Sequence, residues 1–245
     1  MTALYIVSGA SRGLGAALAE QCAAQGHQVL ALARRPNAAL HALGQTNWAV
    51  DLADPLPVAE RLQAWLTDLD GARFAEVVLI NNAGVVTEPG PVQAVPLAQL
   101  SGALRVGLEA TLLLSAAFLA GTRDWAAQKK IVNISSGLGR RAMAAAAPYC
   151  AAKAGMDHLS RAMALDEERL PNGARIVSLA PGIIDTDMQV QLRSGDPAKF
   201  PDQSRFAAFK AEGQLETAAA VAAKILRYLG RADFGANPVA DVRET

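Results

Sequence analysis

Cysteine, histidine and aromatic residues are all scarce in this 245-residue chain, which has two cysteines, three histidines and 5% Phe, Trp and Tyr together. Cys22 and Cys150 form no CxxC pair, which argues against a disulfide scaffold and fits a reducing compartment. Cys150 has no evident basic partner for nucleophilic work and reads as a buried small residue. His27, His41 and His158 are too dispersed for metal-ligand spacing, so no metal site is expected. Trp48, Trp65 and Trp125 stand apart and make no stacking platform. Charge of one sign is also lacking: 23 Lys and Arg face 23 Asp and Glu, without the basic excess of a nucleic-acid binder. The local basic pairs Arg34–Arg35, Lys129–Lys130 and Arg140–Arg141 are still able to recognise a small anion. The start, Met1 to Ser8, has no basic n-region, so no signal peptide is read. The longest apolar stretch, Leu104–Ala120, is interrupted by Arg105 and Glu109, which argues against a membrane span. A cytoplasmic protein that binds neither nucleic acid nor membrane is expected.

What is present is apolar bulk, 51% of the residues, enough for a substantial core. Short β-branched runs at Leu4–Val7, Gln28–Ala33, Trp48–Val50, Val77–Asn81, Lys130–Ile134 and Arg175–Ala180 read as strands. Between them Leu14–Gln25, Leu56–Asp68, Leu97–Leu119 and Ala151–Arg169 read as helices. Strands alternating with helices imply right-handed crossovers and a parallel sheet covered on both faces. Thr217–Leu229 fits a last helix and Val239–Val242 a final strand, whereas residues 183–213 are mixed, with Gly195, Pro197 and Pro201. The reading is a single α/β domain over 1–245, a Rossmann-type doubly wound parallel sheet, with 183–213 as a substrate-covering segment.

The first strand runs into Ser8-Gly9-Ala10-Ser11-Arg12-Gly13-Leu14-Gly15 and then a helix. Glycines at this spacing permit a tight turn and close approach to a pyrophosphate, and the helix start offers free N–H groups and a positive dipole end. The plain alternative is a strand–helix turn that needs glycine for positive φ. An acidic residue about 20 positions downstream would take the ribose hydroxyl of NAD. No Asp or Glu lies between Glu20 and Asp51; Arg34 and Arg35 follow the second strand instead. Together with Arg12 they suit a 2′-phosphate and favour NADP(H), unless they are merely solvated surface.

Tyr149 and Lys153 are four apart and share one helix face, and Ser136 follows a strand at the carboxyl edge of the sheet. A free tyrosine titrates near about pH 10, and an adjacent ammonium is expected to lower it. A serine hydroxyl there would donate to a carbonyl oxygen as hydride arrives. Taken alone, a Tyr-x-x-x-Lys pair also describes a tyrosine packed beside a snorkelling lysine.

Five motifs in order give this sequence its resemblance to the short-chain dehydrogenase/reductase family: Ser8–Gly15, Asn81-Asn82-Ala83-Gly84, Asn133-Ile134-Ser135-Ser136, Tyr149-Cys150-Ala151-Ala152-Lys153 and Pro181-Gly182-Ile183-Ile184-Asp185-Thr186. The resemblance covers nearly the whole chain and implies Ser136, Tyr149 and Lys153 as the catalytic set. It implies cofactor contacts at Gly9, Ser11, Arg12, Gly13, Leu14 and Gly15, and at Arg34 and Arg35. Asp51 and Leu52 would lie at the adenine, with Asn82, Ala83 and Gly84 lining the cofactor. The Ile183 backbone and Thr186 would hold the nicotinamide carboxamide and Lys153 the adjoining ribose, with Pro181, Gly182 and Tyr149 also at the cofactor. A helix cap is the other reading of Asp51, and turn formation that of Asn81 and Asn82. Asn133–Leu138, Tyr149–Gly155 and Ala180–Gln191 resemble benzil reductases and, more loosely, sepiapterin reductases.

The expected activity is therefore NADPH-dependent reduction of a ketone or diketone, with Tyr149 as proton donor. An oxidative alcohol dehydrogenase and a non-catalytic NADP(H) sensor are the alternatives. The resemblance also implies a homodimer, or a tetramer, through Leu97–Leu119 and Ala151–Arg169. One departure stands out: Gly107 occupies the position where many members carry an asparagine that steadies a kinked helix and a proton-relaying water. Glycine tolerates the kink, and a slower relay is expected.

Overall fold

The computed structural model describes residues 2–245. Seven parallel strands form one sheet: β1 (Thr2–Ser8), β2 (Gln28–Ala33), β3 (Thr46–Ala49), β4 (Phe74–Asn81), β5 (Gln128–Ile134), β6 (Arg175–Ala180) and β7 (Val239–Asp241). Their order is β3-β2-β1-β4-β5-β6-β7. The chain starts in the middle, winds out to β3, and then crosses back to place β4 on the other side of β1. A doubly wound sheet opens a crevice at such a reversal, beyond the carboxyl ends of the strands.

Both faces of the sheet are buried, which is why its strands read as continuous apolar runs. Side chains of β1 alternate: Tyr5 and Val7 face one core, Leu4 and Ile6 the other. The first core is closed by α1 (Gly13–Ala24) and a C-terminal helix (Ala218–Leu229), through Leu18, Ala19, Val221 and Ile225. The second is closed by α3 (Pro55–Asp68) and Ala110–Gly121, through Leu62, Leu66, Leu114 and Phe118. Each such side chain contributes about 1.5–3 kcal/mol by leaving water. Between α1 and α3 lies the short α2 (Ala38–Ala42), which the sequence reading omits.

The stretch expected as one helix over Leu97–Leu119 is interrupted. It consists of α4 (Leu97–Leu104), a π-helical turn at Arg105–Glu109 and α5 (Ala110–Gly121), with Gly107 buried in the π turn. Glycine's small size explains the location: a Cβ there would lie 3.0 Å from the Ala152 Cβ of the neighbouring helix. Leu97–Gly121 is apolar enough, with a mean hydropathy of 1.6, to match a membrane span by composition. In the fold its Ala110, Leu114, Ala117 and Phe118 are buried on the sheet side.

Helix α6 spans Ala147–Glu168, so it begins four residues before the expected start at Ala151. Pro148 in its first turn accounts for this, since proline is tolerated where no helical N–H is needed. Residues 183–213 are more regular than their glycine and prolines imply, with α7 (Asp187–Arg193) and α8 (Gln203–Ala211). Helix α9 is Ala218–Leu229, capped by the Thr217 hydroxyl. The tryptophans are not isolated: Trp48 meets Trp65 edge-on at 5.6 Å, and Trp125 stacks on Phe74 at 5.8 Å.

Candidate active site

The glycine turn joins β1 to α1 at the carboxyl edge. Gly9 and Gly13 have φ of 69° and 57°, which only glycine adopts without strain. Gly15 is fixed by space instead, because a Cβ would stand 2.2 Å from the Gly9 carbonyl oxygen and 2.4 Å from Asn82 Nδ2. Arg12 at the N-cap of α1 makes no side-chain cap, so the first-turn N–H groups face the cleft without a capping acceptor. A cradle that a Cβ would fill, ending in an uncapped helix of 12 residues, fits a dinucleotide pyrophosphate. Ser11 is exposed beside it, whereas the Leu14 side chain is buried in the core and leaves only its backbone to the turn.

Ser8 and Asn82 tie the turn to the end of β4. The Ser8 hydroxyl accepts from the backbone N–H of Asn82 and of Ala83, each at 3.0 Å, and Asn82 Nδ2 donates to the Ser8 carbonyl at 3.0 Å. Asn82 is thus a bridge between strands rather than a turn former. Asn81, the last residue of β4, is also more than that: its amide donates to Ser115 and to Asn133, which in turn donates to Ser160.

Arg34 and Arg35 lie exposed just past β2, with no acidic partner among the described residues. Arg12 differs from expectation: its guanidinium pairs with Asp187 of α7 at 2.7 Å, both side chains about 70% exposed. Three side chains of the other basic pairs are engaged elsewhere. Lys129 donates to the Trp125 and Asn172 carbonyls, and Lys130 donates to the Leu229 carbonyl and pairs with Glu76, so both ammonium groups are engaged within the fold. Arg140 pairs with Asp157 at 3.5 Å and Asp241 at 3.9 Å. The cap reading of Asp51 is corrected: Asp54 is the N-cap of α3, while Asp51 closes a turn by accepting from Ala53 N–H. Leu52 is buried beneath it in the second core.

Ser136, Tyr149 and Lys153 come together at the end of β5. Ser136 Oγ accepts from Leu138 N–H at 3.1 Å and faces Tyr149, whose phenol it holds down in part. Burial is the larger influence and pushes Tyr149 up to about 12. The expected lowering by Lys153 is not what the site shows. The lysine Nζ sits 5.6 Å from the Tyr149 ring centre and donates at 2.6 Å to the Ile134 carbonyl. Its own burial pulls it down to about 8, against the opposing charge of Asp157. Gly84 leaves room on the cleft side, since a Cβ there would approach Lys153 Nζ to 3.6 Å.

Pro181 is buried, Gly182 takes a φ of 82°, and the Ile183 carbonyl accepts from Glu216 N–H, which moors the start of residues 183–213. Thr186 stands over the glycine turn, its Cγ2 3.6 Å from where a Gly13 Cβ would be. Cys150 is half-buried rather than buried and lines a shallow cavity of about 310 Å³ with Arg140 and Arg141. A larger cavity of about 730 Å³ lies at the amino ends of β5 and β6, away from this cluster.

Two supporting residues escape the sequence reading. Asn37 caps α2 with its side-chain oxygen, and its amide donates to the Ala10 carbonyl at 3.0 Å, which sets the Arg34–Arg35 end of β2 beside the glycine turn. An asparagine after Pro36 and before an alanine-rich run is the available signal. Asp157 is the other, and its spacing of four from Lys153 was legible.

Comparison with known proteins agrees with this geometry. The short chain dehydrogenase family profile matches residues 3–197. A benzil reductase ((S)-benzoin forming) of Bacillus cereus is 30% identical over 245 residues, covering 98% of each chain. A sepiapterin reductase of Rattus norvegicus is 31% identical, covering 95% of this chain and 93% of its own. A crystal structure of a short chain dehydrogenase from Burkholderia cenocepacia in complex with NADP superposes with a TM-score of 0.74 at 25% identity, covering 96% and 94% of the two chains. With the sheet order, the glycine turn and the Ser-Tyr-Lys cluster already in place, the chain belongs to the short chain dehydrogenase family of oxidoreductases.

Proposed function

We propose that this protein is an NADPH-dependent carbonyl reductase acting on a ketone or diketone, with Tyr149 as the proton donor. The observation that carries the reading is the Ser136–Tyr149–Lys153 cluster at the carboxyl edge of β5, beside a glycine turn shaped for a dinucleotide. Arg34 and Arg35, exposed and without acidic partners, support the preference for a 2′-phosphate. The NADP bound by the Burkholderia relative and the diketone named for the Bacillus relative point the same way.

The nicotinamide cofactor, when bound, supplies the hydride. The residues of the chain do the rest. The Ser136 hydroxyl, oriented by Leu138 N–H, donates to the carbonyl oxygen of the substrate and stabilises the charge that develops there. Tyr149 remains a neutral phenol at physiological pH and gives its proton to that oxygen. Lys153, fixed by the Ile134 carbonyl, keeps a positive charge beside the phenol as it becomes anionic and presents its remaining N–H groups to a ribose. Gly9, Ser11, Gly13, Leu14 and Gly15 would cradle the pyrophosphate, Asp51 and Leu52 flank the adenine, and Pro181 to Thr186 meet the carboxamide.

Residues 183–213 are assigned to covering the substrate. Gln191 Nε2 donates to the Thr87 carbonyl across the cleft rim, and Phe200, Phe206 and Phe209 pack as one aromatic group, an apolar wall suited to a bulky ketone. Self-association as a dimer is assigned to α5 and α6, where Leu112 and Leu165 are 44% and 65% exposed among small residues. A tetramer is the second choice, and sedimentation velocity separates the two.

The decisive experiment follows NADPH oxidation at the nicotinamide absorbance against diketones, aryl ketones, pterins and aldehydes, with NADH as competing cofactor and Tyr149→Phe beside the wild type. Turnover that Tyr149→Phe abolishes supports the reading. NADPH binding without turnover on any carbonyl of the panel overturns it in favour of a sensor.

A further inference from the structure

Asp157 is a buried carboxylate that the chemistry above does not use. It sits four residues beyond Lys153 and eight beyond Tyr149, on the same face of α6. Only 2% of it is exposed. Oδ1 accepts from Ser135 Oγ and from Ser178 Oγ of β6, each at 2.6 Å. Oδ2 has no hydrogen-bond partner among the described residues, and Arg140 Nε stands 3.5 Å from it. A Cβ on Gly139 would lie 2.8 Å from Oδ2 and 2.9 Å from the Lys153 carbonyl, so the turn that follows Ser136 closes directly onto this carboxylate.

Removing an ionised carboxylate from water is costly unless it is paired and hydrogen-bonded. Two hydroxyls and one part-exposed guanidinium at 3.5 Å offset that cost only in part. The cation that feels this carboxylate is Lys153, which has no carboxylate within ion-pair distance and only neutral acceptors, the Ile134 carbonyl and the Met156 sulfur.

We propose that Asp157 is a positioning residue of this site: it fastens the Ser135–Ser136 strand end and β6 to α6, and its negative field keeps Lys153 cationic beside Tyr149. The proposal rests on the reductase reading. Groups facing Lys153 are few. Tyr149, Cys150 and Asp157 lie on α6 itself, and Arg140 enters from the turn after Ser136, with Asp241 of β7 behind it. Arg105 and Glu109 of the π turn and Arg175 of β6 are exposed. Among these, Asp157 is the charge that acts on Lys153, and it opposes the burial that pulls the lysine down to about 8.

The test is a ¹³C NMR titration of lysine ε-carbons in the free protein, with Lys153 assigned by the loss of its signal in Lys153→Arg. Asp157→Asn preserves size and leaves a carbonyl for both serine hydroxyls, so it removes the charge while keeping those two hydrogen bonds. Its Lys153 midpoint is expected at lower pH than in the wild type, and the basic limb of kcat/KM for NADPH-driven reduction moves with it. Arg140→Gln, at a side chain 33% exposed, removes the opposing cation and is expected to move the midpoint up. Unmoved midpoints overturn the proposal, as does a lowered kcat with an unmoved limb, which would mark packing alone. Should Asp157→Asn fail to fold, Arg140→Gln decides by itself: an upward shift supports the field and an unmoved midpoint refutes it. The titration needs no substrate, so a wild type that turns over no carbonyl sinks the reductase reading without touching this readout.

Discussion

The Lys153 ammonium donates a 2.6 Å hydrogen bond to the carbonyl oxygen of Ile134, the last residue of β5. A helix side chain is thereby anchored to a strand end, and Gly84 stands on its open side. This leaves the lysine buried, fixed and only partly neutralised, which has consequences for pH.

Carbonyl reduction is expected to be flat around neutrality and to fall as pH rises through about 8, where Lys153 loses its proton. Tyr149 keeps its proton to about 12, so the donor is not what is lost first. The pH dependence of kcat/KM, which reports the free enzyme, checks this. Lys153→Arg, always charged, is expected to remove that limb while lowering the rate. A limb that persists in this variant would assign it elsewhere.

Arg34→Ala and Arg35→Ala each remove one charge-assisted contact to a 2′-phosphate, about 1.5–3 kcal/mol, or roughly a 10- to 100-fold loss of NADPH affinity. NADH affinity is expected to stay unchanged. Titrating both cofactors by nicotinamide fluorescence measures the ratio, and equal losses for NADPH and NADH would refute the assignment.

Gly15→Ala is expected to abolish cofactor binding and lower the melting temperature, because its Cβ has backbone on one side and Asn82 on the other. Gly102→Ala is the control. It lies in α4 with nothing within 4 Å of a new Cβ, and should stabilise by about 0.4–1 kcal/mol.

Restoring the family asparagine by Gly107→Asn alone is expected to destabilise by about 1–3 kcal/mol, since its Cβ presses on Ala152 at 3.0 Å. Adding Ala152→Gly recovers part of the loss, less about 1 kcal/mol for glycine in a helix. Chemical denaturation of the four proteins forms a double-mutant cycle. Additive effects would mean that the two residues do not press on each other.

Much of this was legible because the strands bury both faces and their ends coincide with glycine turns. β2 and β6 match their sequence readings residue for residue, and the Ser136, Tyr149 and Lys153 cluster assembles as its spacing implies. What was not legible is what depends on partners far along the chain. Nothing near Arg12 announces Asp187, and nothing near Asp157 announces Ser178 or, through Arg140, Asp241. The sign of the Tyr149 shift was likewise hidden, because local pairing favours lowering while burial, a property of the whole fold, outweighs it. α2, α7 and α8 went unread since segments of five to nine residues between prolines and glycines carry too little periodicity.

The reversal between β1 and β4 also bears on how the molecule is made. Leu4 pairs with Val77, and the Ser8 hydroxyl waits for Asn82 and Ala83, partners more than seventy positions away. Contacts of such sequence separation form late, because the loop must close before they reward it. The glycine turn is thus expected to take shape only when the central pair zips, so that the site and the fold mature together. A cofactor that recognises the finished turn acts as a stabiliser of the entire chain, adding about 2.7 kcal/mol at a hundredfold excess over its Kd.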